Sequence, residues 1–155
     1  MTNADLHIRR ETAISMVINT VLSGVFFLAV FGLHGPVPIW GMGHYVFDFG
    51  PQAFAVAFMS TLVPGALSRK ALRAGRVASR PSALRLPGNL LLRGLILAVP
   101  SAMLALAGAA AVCLALGLAQ LPWSVALAAK LGFGAVLALV ITPIALRATL
   151  AEALG

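Results

Sequence analysis

The chain has 155 residues, 61% hydrophobic and 10% charged; soluble domains carry about 25% charged residues, so a water-soluble globule is excluded and lipid is the expected solvent. The formal net charge of +7, from 11 Lys+Arg against 4 Asp+Glu, sits in short segments between apolar runs, which points to membrane topology and anionic headgroups rather than to nucleic acid. With one cysteine, Cys113 inside an apolar run, an intramolecular disulfide and any Cys-x-x-Cys redox or zinc motif are excluded, and Cys113 reads as a small packing residue.

A membrane crossing needs about 20 apolar residues, and four stretches qualify. A short polar lead ends in Arg9-Arg10-Glu11. The apolar run that follows, Thr12 to Leu33, is too long for a signal-peptide core and has no convincing small-residue cleavage site, so it reads as a retained first helix rather than an export signal. His34 to Gly50 is an outer loop broken by Pro36, Pro38 and several glycines. It holds Trp40 and Tyr45 but no Lys or Arg, and it is apolar enough to lie on the bilayer or dip into it. Pro51 to Ser68 is the second helix, with Pro51 placed in its first turn and Pro64 expected to kink or stop it.

Arg69 to Arg93 is a basic connector. Arg69, Lys70, Arg73, Arg76 and Arg80 recur at about helical spacing, which makes them candidates for contact with anionic headgroups on a surface helix; the alternative is a solvated loop. Arg85 and Arg93 complete the connector's basic set. Leu90 to Leu118 is the third helix, with Pro100 inside it. Gln120 to Trp123 is a tight outer turn. Ser124 to Leu146 is the fourth helix, with Pro143 near its end. Basic residues lie before helix one, between helices two and three, and after helix four, and both opposite loops have none. The positive-inside rule then places both termini and the connector in the cytoplasm. The expected fold is an all-α integral membrane protein in one domain, with four transmembrane helices arranged as two hairpins side by side. The Ala, Leu, Gly and Arg-rich composition fits a bacterial inner membrane.

The two halves look alike. Phe54 and Pro64 have the same separation as Phe133 and Pro143, Ala66-Leu67 matches Ala145-Leu146, and an Arg closes each stretch. This reads either as a parallel repeat about an axis along the membrane normal or as chance similarity between Ala/Leu-rich helices.

Polar residues in lipid are the first functional pointers. Ser15, Asn19 and Ser23, each four apart, share one face of helix one, below Thr12. Asp48, Gln52 and Ser60 share one face of helix two. If the faces meet, they form a polar seam inside the first hairpin, either a solute or proton path or interhelical hydrogen-bond glue. Asp48 is the only acid near a span and Lys130 the only base well inside one. A lone charge there is costly, so pairing is expected, either as a clamp or as a gate; otherwise Lys130 snorkels to the headgroups. His34, His44 and Asp48 share the outer loop and are the one set with metal-ligand character, but with no further acidic ligand no metal and no other cofactor is expected. Nucleotide and nucleophile motifs are missing, so no enzyme is expected. Small residues on helix three (Ala105 and Ala109) and on helix four (Ala128 and Gly132) have the small-xxx-small spacing of close packing, within the bundle or between copies.

The first hairpin resembles small bacterial inner-membrane proteins of unknown function built from two helices. The resemblance rests on a polar-striped first helix (Ser15, Asn19, Ser23), a Trp-bearing outer turn (Trp40) and a Pro followed by Arg at the inner end (Pro64, Arg69). It covers about half the chain and implies no activity. Two readings follow: an oligomeric permease or channel-like protein for a small solute or ion, or an accessory or scaffold protein that binds lipid, a second copy or another membrane protein.

Overall fold

The computed structural model describes residues 2–84 and 86–152; Arg85 of the basic connector lies outside them. Four helices are each long and apolar enough to cross a membrane, and the protein is an all-α multi-pass membrane protein. The elements are α1 (Asn3–Phe31), β1 (Val37–Pro38), α2 (Tyr45–Arg73), α3 (Leu90–Ala115), β2 (Gln120–Leu121) and α4 (Trp123–Ala151). A 29-residue helix such as α1 is about 43 Å long, more than the roughly 30 Å hydrocarbon core, so its ends reach the headgroups.

Three helices run beyond the apolar windows, each for a local reason. α1 starts at Asn3 because Thr2 and Asp5 form a capping box, each side chain accepting from the other's backbone N–H. α2 starts at Tyr45, a turn and a half before Pro51, because aromatic packing anchors that turn. The Tyr45 hydroxyl donates to the Ala126 carbonyl at 3.1 Å, and Phe49 packs edge-on against both Tyr45 and Phe133. Pro51 and Pro64 both lie inside α2, which continues through Pro64 to Arg73; neighbouring helices accommodate prolines in this way within a membrane. α4 continues to Ala151 because Leu146 and Leu150 pack with Ala4, Ile8, Ala71 and Val77 in a basic-end core. Arg69, Lys70 and Arg73 form the last turns of α2, the described residues of the connector beyond it form no further helix, and Asn89 caps α3.

The helices do not pair as two sequential hairpins. α1 packs along α4, α2 packs along both α3 and α4, and the backbones of α1 and α2 come close at few points. Steric fit explains the exchange. Gly134 of α4 faces α1, where an added Cβ would overlap the Ser23 hydroxyl and lie 3.1 Å from the Asn19 carbonyl oxygen. Gly94 of α3 faces α2, where a Cβ would lie 2.8 Å from the Phe58 ring. α2 is therefore the central helix, and α3 buries only Arg93, Gly94, Ala98 and Cys113.

The pairings α1–α4 and α2–α3, with α2–α4 between them, have the pattern of two halves about an axis along the bundle. The loops at the end opposite the basic residues follow it. β1 and β2 pair antiparallel, Val37 opposite Leu121 and Pro38 opposite Gln120. Trp40 Nε1 donates to the Leu118 carbonyl at 2.9 Å, and Trp123 Nε1 donates to the Gly32 carbonyl at 3.0 Å. The first loop thus folds over the helix ends, burying Val37 and Ile39, with Ile39 against Val46 and Cys113.

Candidate functional site

The face shared by Ser15, Asn19 and Ser23 is the buried face of α1, together with Ala4, Ile8, Thr12 and Phe27. It meets both α2 and α4. Near its middle, Asn19 Nδ2 donates to the Ser15 carbonyl at 2.8 Å and to Ser60 Oγ at 3.1 Å. Ser15 Oγ lies 3.2 Å from Ser60 Oγ and accepts from Thr142 Oγ1 of α4 at 2.9 Å. Two turns farther from the basic end, Gln52 Nε2 donates to Ser23 Oγ at 2.8 Å and to the Lys130 carbonyl at 3.2 Å. The seam therefore joins three helices rather than one hairpin. Thr12 stays outside it, donating to the Ile8 carbonyl of its own helix at 2.7 Å. Among the described residues, Gln52 Oε1 is the one buried side-chain N or O atom without a partner.

Directly above lies the charge pair. Lys130 Nζ is 2.8 Å from Asp48 Oδ2, and the Lys130 side chain is 1% exposed. The ammonium also sits over the Phe49 ring at 3.7 Å from its centroid and over Tyr45 at 5.1 Å. A cation in lipid needs a counter-charge, and aromatic faces supplement it. Lys130 therefore does not snorkel. Its ammonium is held by one carboxylate and two rings, next to the Gln52–Ser23 bond.

The histidines of the α1–α2 loop do not join this pair. His34 is exposed, and the His44 ring lies against the Trp40 carbonyl. Among the described residues no three His, Cys, Asp or Glu side chains converge, and Asp48 is turned to Lys130. His34, His44 and Asp48 are therefore not brought together as a metal site.

At the basic end the structure divides the arginines and lysines into two groups. Arg69 and Arg93 share Glu152: Arg69 Nε lies 2.8 Å from one carboxylate oxygen, and the fully buried Arg93 meets the other. Arg93 also donates to the Pro87 carbonyl from Nε at 3.0 Å and to Thr149 Oγ1 at 2.7 Å. Arg69 donates to the Gly88 carbonyl, and Arg80 pairs with Asp5. Arg69 and Arg80 thus tie elements together instead of presenting free charges to headgroups. Lys70, Arg73 and Arg76 are exposed, and none has a hydrogen-bond or ion-pair partner for its side chain among the described residues.

Two contacts at this end have no strong sequence signal. The Arg69–Glu152–Arg93 cluster needs the neighbourhood of α2, α3 and α4, and Glu152 sits in what reads as a tail. The contact of His7 Nε2 with Ser68 Oγ at 2.8 Å joins the polar lead to α2. Of the small-residue pairs, Ala105 and Ala109 pack inward on the Phe27, Val37, Tyr45, Phe49 and Ala126 core, whereas Ala128 and Gly132 are exposed. Comparison with protein-family models, curated proteins and solved structures finds no match.

Proposed function

We propose that this protein is a non-conducting membrane module that works by binding, an accessory or scaffold protein of a bacterial inner membrane with both termini and the basic end in the cytoplasm. The observation that carries this reading is the closure of the polar seam. Its two amide side chains donate to acceptors within the same three helices, and Lys130 is locked onto Asp48 against two aromatic rings. A conducting path needs polar groups that face a hydrated space and bind weakly enough to release. Here they act as interhelical ties. The lipid-facing length of α3 leaves a broad surface for a second copy or another membrane protein.

A permease, acting as an oligomer, is the second reading. The observation in its favour is an acid–base pair inside the membrane span, a common element of ion and proton pathways. Proteoliposomes discriminate the two. Binding predicts cation and proton leak equal to that of protein-free vesicles, for wild type and Asp48→Asn alike. Protein-dependent flux that is lost on Asp48→Asn would establish the permease instead. Orientation is read separately in a Cys113→Ser background: Met42→Cys should label with an impermeant maleimide in intact cells, and Arg73→Cys only after permeabilisation.

A further inference from the structure

The gap between α1 and α2 ends, at the basic side, in a cleft of about 480 Å³ whose lining includes Arg10, Lys70, Arg76, His7 and the apolar Leu6 and Leu67. Glu11 is the one carboxylate in that lining, so three cations face one anion. Among the described residues, Arg10, Lys70 and Arg76 have no ion-pair partner, whereas Arg69, Arg80 and Arg93 have theirs. The His7 ring is fixed on Ser68. Asn3 closes the floor by donating to the Arg76 carbonyl at 3.1 Å.

Two apolar stripes lead from this cleft into the membrane. On α1, Ile14, Ile18, Leu22 and Phe26 follow Arg10 at steps of four, and all are exposed. On α2, Leu67, Val63 and Met59 run alongside in the opposite chain direction, also exposed. Farther along the same gap, a second cleft of about 260 Å³ has a lining that includes Asn19, Leu22, Phe26, Gln52, Ala55 and Met59. Asn19 lies about 14 Å along α1 from Arg10 at about 1.5 Å per residue. One leaflet's hydrocarbon is about 15 Å deep, half of the roughly 30 Å core.

We propose that the α1–α2 gap is a specific site for an anionic phospholipid of the adjacent leaflet, its phosphate held by Arg10, Lys70 and Arg76 and one acyl chain laid between the two stripes towards Asn19. Charge selects the occupant. A second copy presenting this same basic surface would be repelled, and a zwitterionic lipid brings no net charge to the three cations of the cleft. The gap exists because α1 packs its length along α4 and reaches α2 chiefly through the seam side chains. This inference deepens the binding reading above, and its test does not depend on flux.

The test is binding of phosphatidylglycerol, against phosphatidylcholine, to the full chain purified in detergent, read by native mass spectrometry and by the thermal unfolding midpoint. Each cation near an anionic lipid contributes about fivefold in binding, so Arg10→Gln/Lys70→Gln/Arg76→Gln should weaken phosphatidylglycerol on the order of a hundredfold. Arg73→Gln/Arg147→Gln, which removes exposed charges outside the cleft, should leave binding within about twofold. Because the three altered residues include two exposed helical positions and one loop position, folding is checked by an unchanged unfolding midpoint without lipid. Leu22→Trp, placed in the upper cleft far from the charges, should weaken a long-chain lipid and spare a short-chain one. Equal loss from both charge variants would overturn the site in favour of general surface attraction. Equal protection by inorganic phosphate would overturn the lipid in favour of a phosphate site. No preference for phosphatidylglycerol would overturn the inference and leave the binding reading to another partner.

Discussion

Gly134→Ala tests the closest approach in the bundle. The added methyl would overlap the Ser23 hydroxyl and sit 3.2 Å from Ser23 Cβ and 3.1 Å from the Asn19 carbonyl. Helix propensity alone favours alanine by roughly 1 kcal/mol in water, so a helix that merely tolerates glycine would be stabilised. Overpacking costs about 1–3 kcal/mol, and moving Ser23 also disturbs its bond from Gln52, worth about 0.6 kcal/mol in a membrane. The expected outcome is a net loss of roughly 0.5–2.5 kcal/mol. Ser23→Ala removes the overlapping oxygen and should restore part of that loss. The assay is reversible unfolding in mixed micelles of the wild type, both single variants and the double. A favourable coupling of at least about 0.5 kcal/mol is expected for residues in contact. A stabilised Gly134→Ala, or a loss that Ser23→Ala leaves untouched, would refute the packing of α1 on α4 at this point.

Asp48→Asn should be more damaging than Lys130→Met, because it strands a buried ammonium, whereas the Asp48 carboxylate is 18% exposed. Stranding a buried charge costs about 3–5 kcal/mol, and the double variant Asp48→Asn/Lys130→Met should return to within about 1 kcal/mol of wild type in the same unfolding assay; additive losses would show that the two charges do not interact. In a Cys113→Ser background, Val37→Cys/Leu121→Cys should oxidise to a disulfide, since antiparallel partners have Cα atoms about 4.5–5.5 Å apart and disulfides need about 4.4–6.8 Å. Intact-mass measurement after oxidation checks this, and two freely alkylated thiols would refute the pairing of the outer loops.

The spans were legible because hydropathy over about 20 residues is a one-dimensional property. Their ends were not, because they depend on contacts the window cannot contain. The Thr2–Asp5 capping box, the Tyr45–Ala126 bond and the Leu150 core each lengthen a helix past its apolar run. The polar stripe of α1 was legible from its spacing of four, as were the Asp48, Gln52 and Ser60 face and the pairing of Asp48 with Lys130 from the cost of a lone charge. Gly134 and Thr142 were not, since a glycine and a threonine in an apolar helix carry no signal until a neighbour is known. Chain order also misleads about neighbours here. Adjacency in the chain suggests that α1 and α2 pack along each other, yet the β1–β2 ladder and the crossed tryptophan bonds join the two loops, and α1 lies along α4. The basic set was legible as a topology signal, and only the fold separates the arginines paired with Glu152 and Asp5 from Arg10, Lys70 and Arg76 of the α1–α2 cleft, which have no ion-pair partner among the described residues.

The two halves solve the same packing problem with different chemistry. In lipid, helices gain little by burying apolar surface against one another, so association rests on close contact or on hydrogen bonds. The α2–α3 contact takes the first route, with Gly94 against Phe58 and Ala98 packed with Ala57 and Ile141. The α1 contact with α2 and α4 adds the second, with Asn19 and Gln52 each donating across a helix boundary. Small residues let helices slide by a turn at modest cost, whereas a buried amide has few acceptors within reach, and a slip would strand it. A single buried polar residue is known to fix register in this way. The seam therefore places α1 at a defined height on the bundle. That height puts Arg10 level with Lys70 and Arg76, and sets the phosphate cleft below the acyl groove.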